Sequence, residues 1–403
     1  MSIAKNTIKI IVHITFTLFT VLVTTLASAT VEDQAKRIHD RITGVPPTAT
    51  ELTDLVNAIN SGSGRDAALA VSLNNKSFYN VTLKNMYTPW SNEAQTVFAP
   101  LNDFTATIIG VIRDDGDFRT VLYDDIIYSG VDAADSLPAY SNDNNDHYAA
   151  LESQDIDLSD DAKFDISTQS GLTQHPANAI SGILTTRAAA KAFFVGGTNR
   201  AMFRFTVLNF LCNDMEQLKD TTRPTDRIRQ DVTRSPGGDS RIFMNACMGC
   251  HSGMDPMAQA YAYYEWSGEE GTEEGHLEYT EGEVQPKYHI NANNFPYGFV
   301  TPDDSWSNFW RDGPNGWIGW EDPAAGGPAG KGNGASSMNE ELAHSDAFAQ
   351  CQVKKVFKTI CLREPTTGAD ITEMETLVTN FKTTHNYRLK DVFADTAQYC
   401  MGN

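Results

Sequence analysis

Apolar positions recur along this chain mostly at the three- and four-residue spacing of an amphipathic helix, and rarely at the alternation of a half-buried strand. Arg37, Ile38, Arg41 and Ile42 fall at helical spacing; Gly44-Val45-Pro46-Pro47-Thr48 breaks the run, and Thr50-Glu51 opens a second helix through Leu52, Leu55, Val56 and Ile59. A linker rich in Ser and Gly follows at 61–64, and further helices are expected over 65–73, 93–113 and 117–128. Residues 130–165 are dense in Asp, Asn and Ser with little periodicity, which reads as a loop and a domain boundary. Beyond it a long helical pattern covers 179–212, divided by Gly196-Gly197 into two helices with a turn between them. An Arg-rich stretch, 223–241, leads into a short helix carrying a Cys pair, and 267–335, rich in Gly, Pro, Asn and Trp, reads as long irregular structure with a small hairpin. Helix returns over 340–361, 369–383 and 389–399. The fold class is therefore mainly α, with a helical region over 30–165 and a second helical domain with long irregular loops over 166–403.

The first residues add a compartment. Lys5 and Lys9 precede an apolar run from Ile10 to Leu26, followed by Ala27-Ser28-Ala29 and the polar Thr30-Val31-Glu32-Asp33. This is the pattern of a secretory leader cleaved after Ala29, and the seventeen-residue apolar run suits cleavage better than stable spanning. The expected location is periplasmic or secreted, with no membrane span after cleavage. Loss of Lys5 and Lys9 with the leader takes the net charge from −21 to −23. So acidic a chain is excluded as a nucleic-acid binder, since neutralising phosphates needs a basic surface. The acidic strings Asp114-Asp115-Gly116-Asp117 and Asp143-Asn144-Asn145-Asp146 lack the alternating spacing and closing Glu of a calcium loop.

The chemistry concentrates at Cys247-Met248-Gly249-Cys250-His251. Two thiols one helical turn apart match the two vinyl groups of one porphyrin, and the adjacent imidazole then lies under the iron, so the expected cofactor is one covalently attached haem c with His251 as proximal ligand. A zinc site would need a second close pair of soft ligands, which Cys212, Cys351, Cys361 and Cys400 do not supply. A redox-active disulfide calls for a strand-helix context that the flanking loop lacks. The four remaining cysteines are an even number in an oxidising compartment, so two disulfides are expected. Cys351 and Cys361 lie ten residues apart on one predicted helix, about 15 Å at helical rise and too far to bridge. Of the two connectivities left, Cys361 with Cys400 and Cys212 with Cys351 is preferred.

For the distal side of the iron, Met338, in an expected loop before a C-terminal helix, and His289 are the main candidates, with His175 behind them; an open, five-coordinate iron is the alternative. Met254 and Met257 follow His251 too closely to reach the other face and are expected to pack. Arg227, Arg229, Arg234 and Arg241 cluster ahead of the motif, and Arg234 and Arg241 are candidate partners of the haem propionates, against ordinary ion pairing to Asp226, Asp231 and Asp239. Tyr261, Tyr263, Tyr264 and Trp266 are expected to wall the porphyrin or the core.

Five stretches, RIHDRITGVPPTATELT at 37–53, GILTTRAAA at 182–190, LNFLC ending at Cys212, CMGCHSGMDP at 247–256 and FAQCQVKKVFKTICLREP at 348–365, together carry a resemblance. In this order the chain resembles the large cytochrome c-like proteins first catalogued in planctomycetes, built from several domains around one haem motif. The likeness implies a cytochrome c-like haem domain, with the haem-binding triplet on Cys247, Cys250 and His251 and an Asp255-Pro256 step after it. The stretch 267–335 is more elaborate than the spacer of that family, and the family carries no shared reaction. The expected function is electron transfer to or from a redox partner protein. Alternatives are a haem-dependent oxidoreductase acting on peroxide, oxygen or an organic substrate at an open iron, and a binding protein in which haem is a structural staple.

Overall fold

The computed structural model describes residues 29–131, 136–269 and 271–402; all but the last residue of the expected leader lies outside them. The chain is mainly helical. Its longer helices are α1 (Val31–Thr43), α2 (Ala49–Ser61), α3 (Gly64–Ala70), α4 (Asp103–Arg113), α5 (Asp146–Ser153), α6 (Arg187–Phe193), α7 (Arg200–Leu211), α8 (Met248–Ala258), α9 (Gly334–Ala343), α10 (Asp346–Cys361), α11 (Gly368–Thr383) and α12 (Leu389–Cys400). Three short antiparallel ladders accompany them: β1 (Ile127–Gly130) with β2 (Phe164–Ser167), β3 (Tyr264–Trp266) with β4 (Leu277–Tyr279), and β5 (Ser305–Ser307) with β6 (Lys331–Asn333).

Local chemistry explains where the first helices begin. Thr30 accepts from the Asp33 amide while the Asp33 carboxylate accepts from the Thr30 amide, and Thr48 with Glu51 repeats this reciprocal cap on α2. Helix α1 stops at Gly44, whose φ of 75° is the left-handed conformation glycine adopts without penalty. Its buried face is Ala35, Ile38, His39 and Ile42; of the residues the periodicity marked, Ile38 and Ile42 lie on it, while Arg37 and Arg41 are only partly buried.

Several expected helices are shorter than their apolar pattern. Over 93–113, helix begins only at Asp103, because Asn102 caps it by accepting from Thr105 and Gln95 sits at φ 49°. Residues 117–128 form one 3₁₀ turn, Phe118–Leu122, and then run into β1. In 179–212 the break at Gly196-Gly197 is present, but 180–186 is not helical. Gly182 there takes φ 50°, and a Cβ on it would lie 2.0 Å from the Val121 carbonyl, so this segment is held by close backbone approach rather than by helix. The expected loop 130–165 contains α5, which buries His147, Tyr148 and Leu151. The expected helix 340–361 is two, since Ser345 accepts from Phe348 and starts α10.

One main core runs from Ala35 in α1 to Ala397 in α12 and crosses the boundary expected near 165. The two ends of the described chain meet: Arg37 and Arg41 donate to the carbonyls of Met401 and Cys400, and Arg65 reaches Asp391 and Asp395 on α12. The Arg37 and Arg41 guanidiniums satisfy C-terminal helix carbonyls that have no partner in their own helix. Both preferred disulfides form. Cys212–Cys351 ties the end of α7 to α10 with Cα atoms 5.3 Å apart, and Cys361–Cys400 ties α10 to α12 at 5.5 Å.

Replacing both Cys361 and Cys400 by alanine releases a closure of 39 residues and should cost about 4 kcal/mol of unfolding free energy by the chain-entropy argument, measured by denaturant unfolding. The half-buried Lys355 on α10 has its Nζ 3.8 Å from the centre of the Trp90 ring. Desolvation, then the Lys358 charge, pushes its ammonium down to about 7 from 10.5, outweighing the ring's attraction. Between those values the unfolded chain binds the extra proton, so stability rises with pH across the window and the penalty is complete below it. Lys355→Met should therefore raise the melting temperature more at pH 6 than at pH 10, and equal shifts would exclude burial as the cause.

Candidate functional site

The Cys pair sits in one helical run over 240–258. Asp239 caps its start by accepting from the Arg241 amide, Phe243–Cys247 forms a wide π turn, and α8 continues from Met248. Such turns insert an extra residue and re-aim the side chains that follow, which is why they gather at functional sites.

Small residues seat this run. The Gly249 carbonyl accepts from the Asp220 amide at 3.0 Å, and Ser252 Oγ donates to the Asp220 carbonyl at 3.1 Å. A Cβ on Gly249 would lie 2.5 Å from Cγ of Lys219, and one on Gly253 would lie 2.0 Å from Nε1 of the fully buried Trp310. Glycines at i and i+4 thus let one face of α8 press against the 218–221 loop and the Trp310 ring. Cys247, His251 and Asp255, also spaced by four, line up on a face of their own.

That second face meets a buried ionic junction. His251 Nδ1 is 3.1 Å from Asp255 Oδ1. The Asp255 side chain has no exposed surface; it accepts Arg200 Nε at 2.7 Å and Nη2 at 3.0 Å, and the Arg229 amide at 3.2 Å, with Arg229 Nη2 3.6 Å away. Arg200, the first residue of α7, holds Asp231 as well. Arg229 lies across the Tyr288 ring, 4.7 Å from its centre, and Tyr288 donates to the Ala258 carbonyl at the end of α8. Desolvation works to raise the Asp255 carboxyl, but the charges of Arg200 and Arg229 and the His251 bond hold it well below the ordinary carboxylate range. Asp255 is therefore an anion with three cationic or polar donors around it, and His251 Nδ1 is committed to it. Among the described residues Nε2 has no protein hydrogen-bond partner.

The two thiols differ from the other cysteines. Cys247 and Cys250 are unpaired and half-buried, whereas the remaining four are bonded to one another. Burial, then Glu216, pushes the Cys250 thiol up, the reverse of the stabilised thiolate that disulfide exchange requires. Apolar side chains beside the motif lack cover: Ile242 is 46% exposed, Met244 55% and Tyr297 91%. Tyr297 belongs to a segment that pairs with 228–230 through the Phe299 amide and the Ile228 carbonyl, and Ile228 packs with Phe243, Cys247 and Met248.

Other sequence candidates fall elsewhere. Arg241 is exposed and paired with Asp239 on its own turn, so ordinary ion pairing describes it better than a propionate partner. Arg234 is spent on backbone, donating to the carbonyls of Ile228 and Val232 and lying across the rings of Phe243 and Phe295. Met338 is not in a loop; it is fully buried on α9 in the main core, where its neighbour Asn339 bonds Tyr261 and Ser181. His289 is exposed at the end of the Pro286–His289 turn. Met254 and Met257 pack in the core as expected, and Tyr261 and Tyr264 join Phe194 there. Among the described residues no three His, Cys, Asp or Glu side chains form a metal cluster. The bond between His251 and Asp255 was missed along the chain although their four-residue spacing could have suggested it; nothing in the sequence pointed to Arg200.

No family model, curated protein or solved structure matches this chain. The seating of α8 is testable alone. Gly253→Ala should destabilise the protein by about 1–3 kcal/mol through overpacking against Trp310, while Gly368→Ala, where a Cβ meets nothing within 4 Å, should be neutral or stabilising; the comparison is made by denaturant unfolding.

Proposed function

We propose that this chain is an exported monohaem c-type cytochrome that carries one haem c on Cys247 and Cys250, with His251 as proximal ligand, and exchanges electrons with a redox partner protein. The observation that carries this reading is the setting of His251: its Nδ1 is held by the buried Asp255 carboxylate, its Nε2 has no hydrogen-bond partner among the described residues, and the helical run that carries it bears the unpaired Cys247 and Cys250 just before it. A ligating histidine characteristically gives its other ring nitrogen to such a carboxylate, which fixes tautomer and ring orientation. The donor set also fits covalent attachment, since these are the two cysteines that disulfide pairing leaves over. Ile242 and Met244, on the helical run that bears the motif, are uncovered apolar side chains, and a bound macrocycle would shield the one it lies against. Haem bound here supplies a one-electron couple at its iron; the protein attaches and orients it and limits water around it. The leader expected over 1–29 and the two disulfides favour an oxidising compartment, periplasmic or extracellular.

The same bond favours a second reading, a haem-dependent oxidoreductase with an open iron. A carboxylate-bonded imidazole is a stronger donor, and the burial of Met338 on α9 takes away the methionine expected as sixth ligand.

Expression in a host that matures c-type cytochromes should yield protein that retains the mass of one haem after denaturation, and Cys247→Ala with Cys250→Ala should abolish it; absence of that mass from the wild type overturns the proposal. In the loaded protein, a low-spin spectrum inert to carbon monoxide favours the electron carrier, and a high-spin ferric spectrum with rapid ligand binding favours the oxidoreductase.

A further inference from the structure

We infer that Asp255 and Arg200 form an opposed charge pair that sets the reduction potential of the site through His251. The inference rests on His251 being the proximal ligand. Asp255 is the positioning residue: its Oδ1 receives His251 Nδ1 on one side and Arg200 Nε on the other, at 3.1 and 2.7 Å. One carboxylate oxygen is thus shared between the imidazole that would face the iron and a guanidinium that draws its charge away.

Burial makes this arrangement effective. The Asp255 side chain is wholly excluded from solvent, so its field on the ring is screened far less than that of a surface carboxylate. A full negative charge beside the Nδ1–H makes Nε2 a stronger donor and favours the more highly charged ferric iron, lowering the potential. Arg200 opposes that effect. It grips both Asp255 oxygens with a planar fork, and its second tie to Asp231 anchors the guanidinium independently of Asp255. Arg229 adds a second cation at longer range, 3.6 Å. The balance between carboxylate and fork, rather than the carboxylate alone, would decide how electron-rich the imidazole is.

The two members predict shifts of opposite sign, which a purely structural role does not. In holoprotein first checked for one covalent haem, Asp255→Asn keeps the shape and an oxygen acceptor for Nδ1 but removes the charge. It should raise the potential by at least tenfold in the one-electron equilibrium constant, about 59 mV. Arg200→Lys keeps a cation at the start of α7 but loses the fork, and should lower the potential. If Asp255→Asn does not fold, the Arg200→Lys shift decides by its sign. Haem present with the potential unmoved, or both variants moving it the same way, overturns the inference; haem absent from the wild type overturns the proposed function instead.

Discussion

A buried carboxylate organises the centre of this protein. Asp255 has no contact with water, so its charge is tolerable only because Arg200, Arg229 and His251 gather round it. Each partner comes from a different part of the chain: the start of α7, the Arg-rich stretch where Arg229 bridges to Phe299, and α8 itself. The burial of one anion therefore fixes where three segments meet and which way the imidazole of His251 turns. Removing a single partner would strand a charge in the interior, the costly case for such networks.

The opposite face of α8 is held by shape instead of charge. Gly249 and Gly253 bring the helix backbone against Asp220 and Trp310 more closely than any side chain would permit. Trp310 comes from the long irregular region, and so does Tyr288, which ties the end of α8 through the Ala258 carbonyl. That region, poor in regular structure, is thus the mould for the helix that carries the thiols. Its three-residue strands and 3₁₀ turns give few repeating hydrogen bonds, and buried aromatics supply the rigidity.

Farther out, the chain closes on itself. Arginines of α1 bind the last carbonyls of α12, and two disulfides lock α10 to α7 and to α12. The frame around α8 is consequently stiff at its far side, while Ile242, Met244 and Tyr297 are bare beside the motif. Under the proposed function, a bound cofactor would cover part of that exposed apolar surface.

Much of this was legible along the chain because it is written in short-range chemistry. The first two helices were expected within a few residues of where they begin, although the second opens at the Thr48–Glu51 cap rather than at Thr50-Glu51, and the spacing of Cys247, Cys250 and His251 is itself one turn of helix. For the disulfides, ruling out a pair on the same helix left two connectivities, and the fold forms the preferred one. Other features required distant partners. Residues 180–186 look helical by periodicity, yet Gly182 is pinned against Val121; Met338 looks like a loop residue, yet α9 buries it in the core. Arg234 and Arg241 carry the right charge, but one is consumed by carbonyls and the other by Asp239. The sequence by itself determined the helical class, the motif and its free thiols, because those depend on residues a few positions apart; only the tertiary structure decided that Arg200 balances Asp255 beside His251, because charges far apart in the chain become neighbours only when burial forces them to share a dry interior.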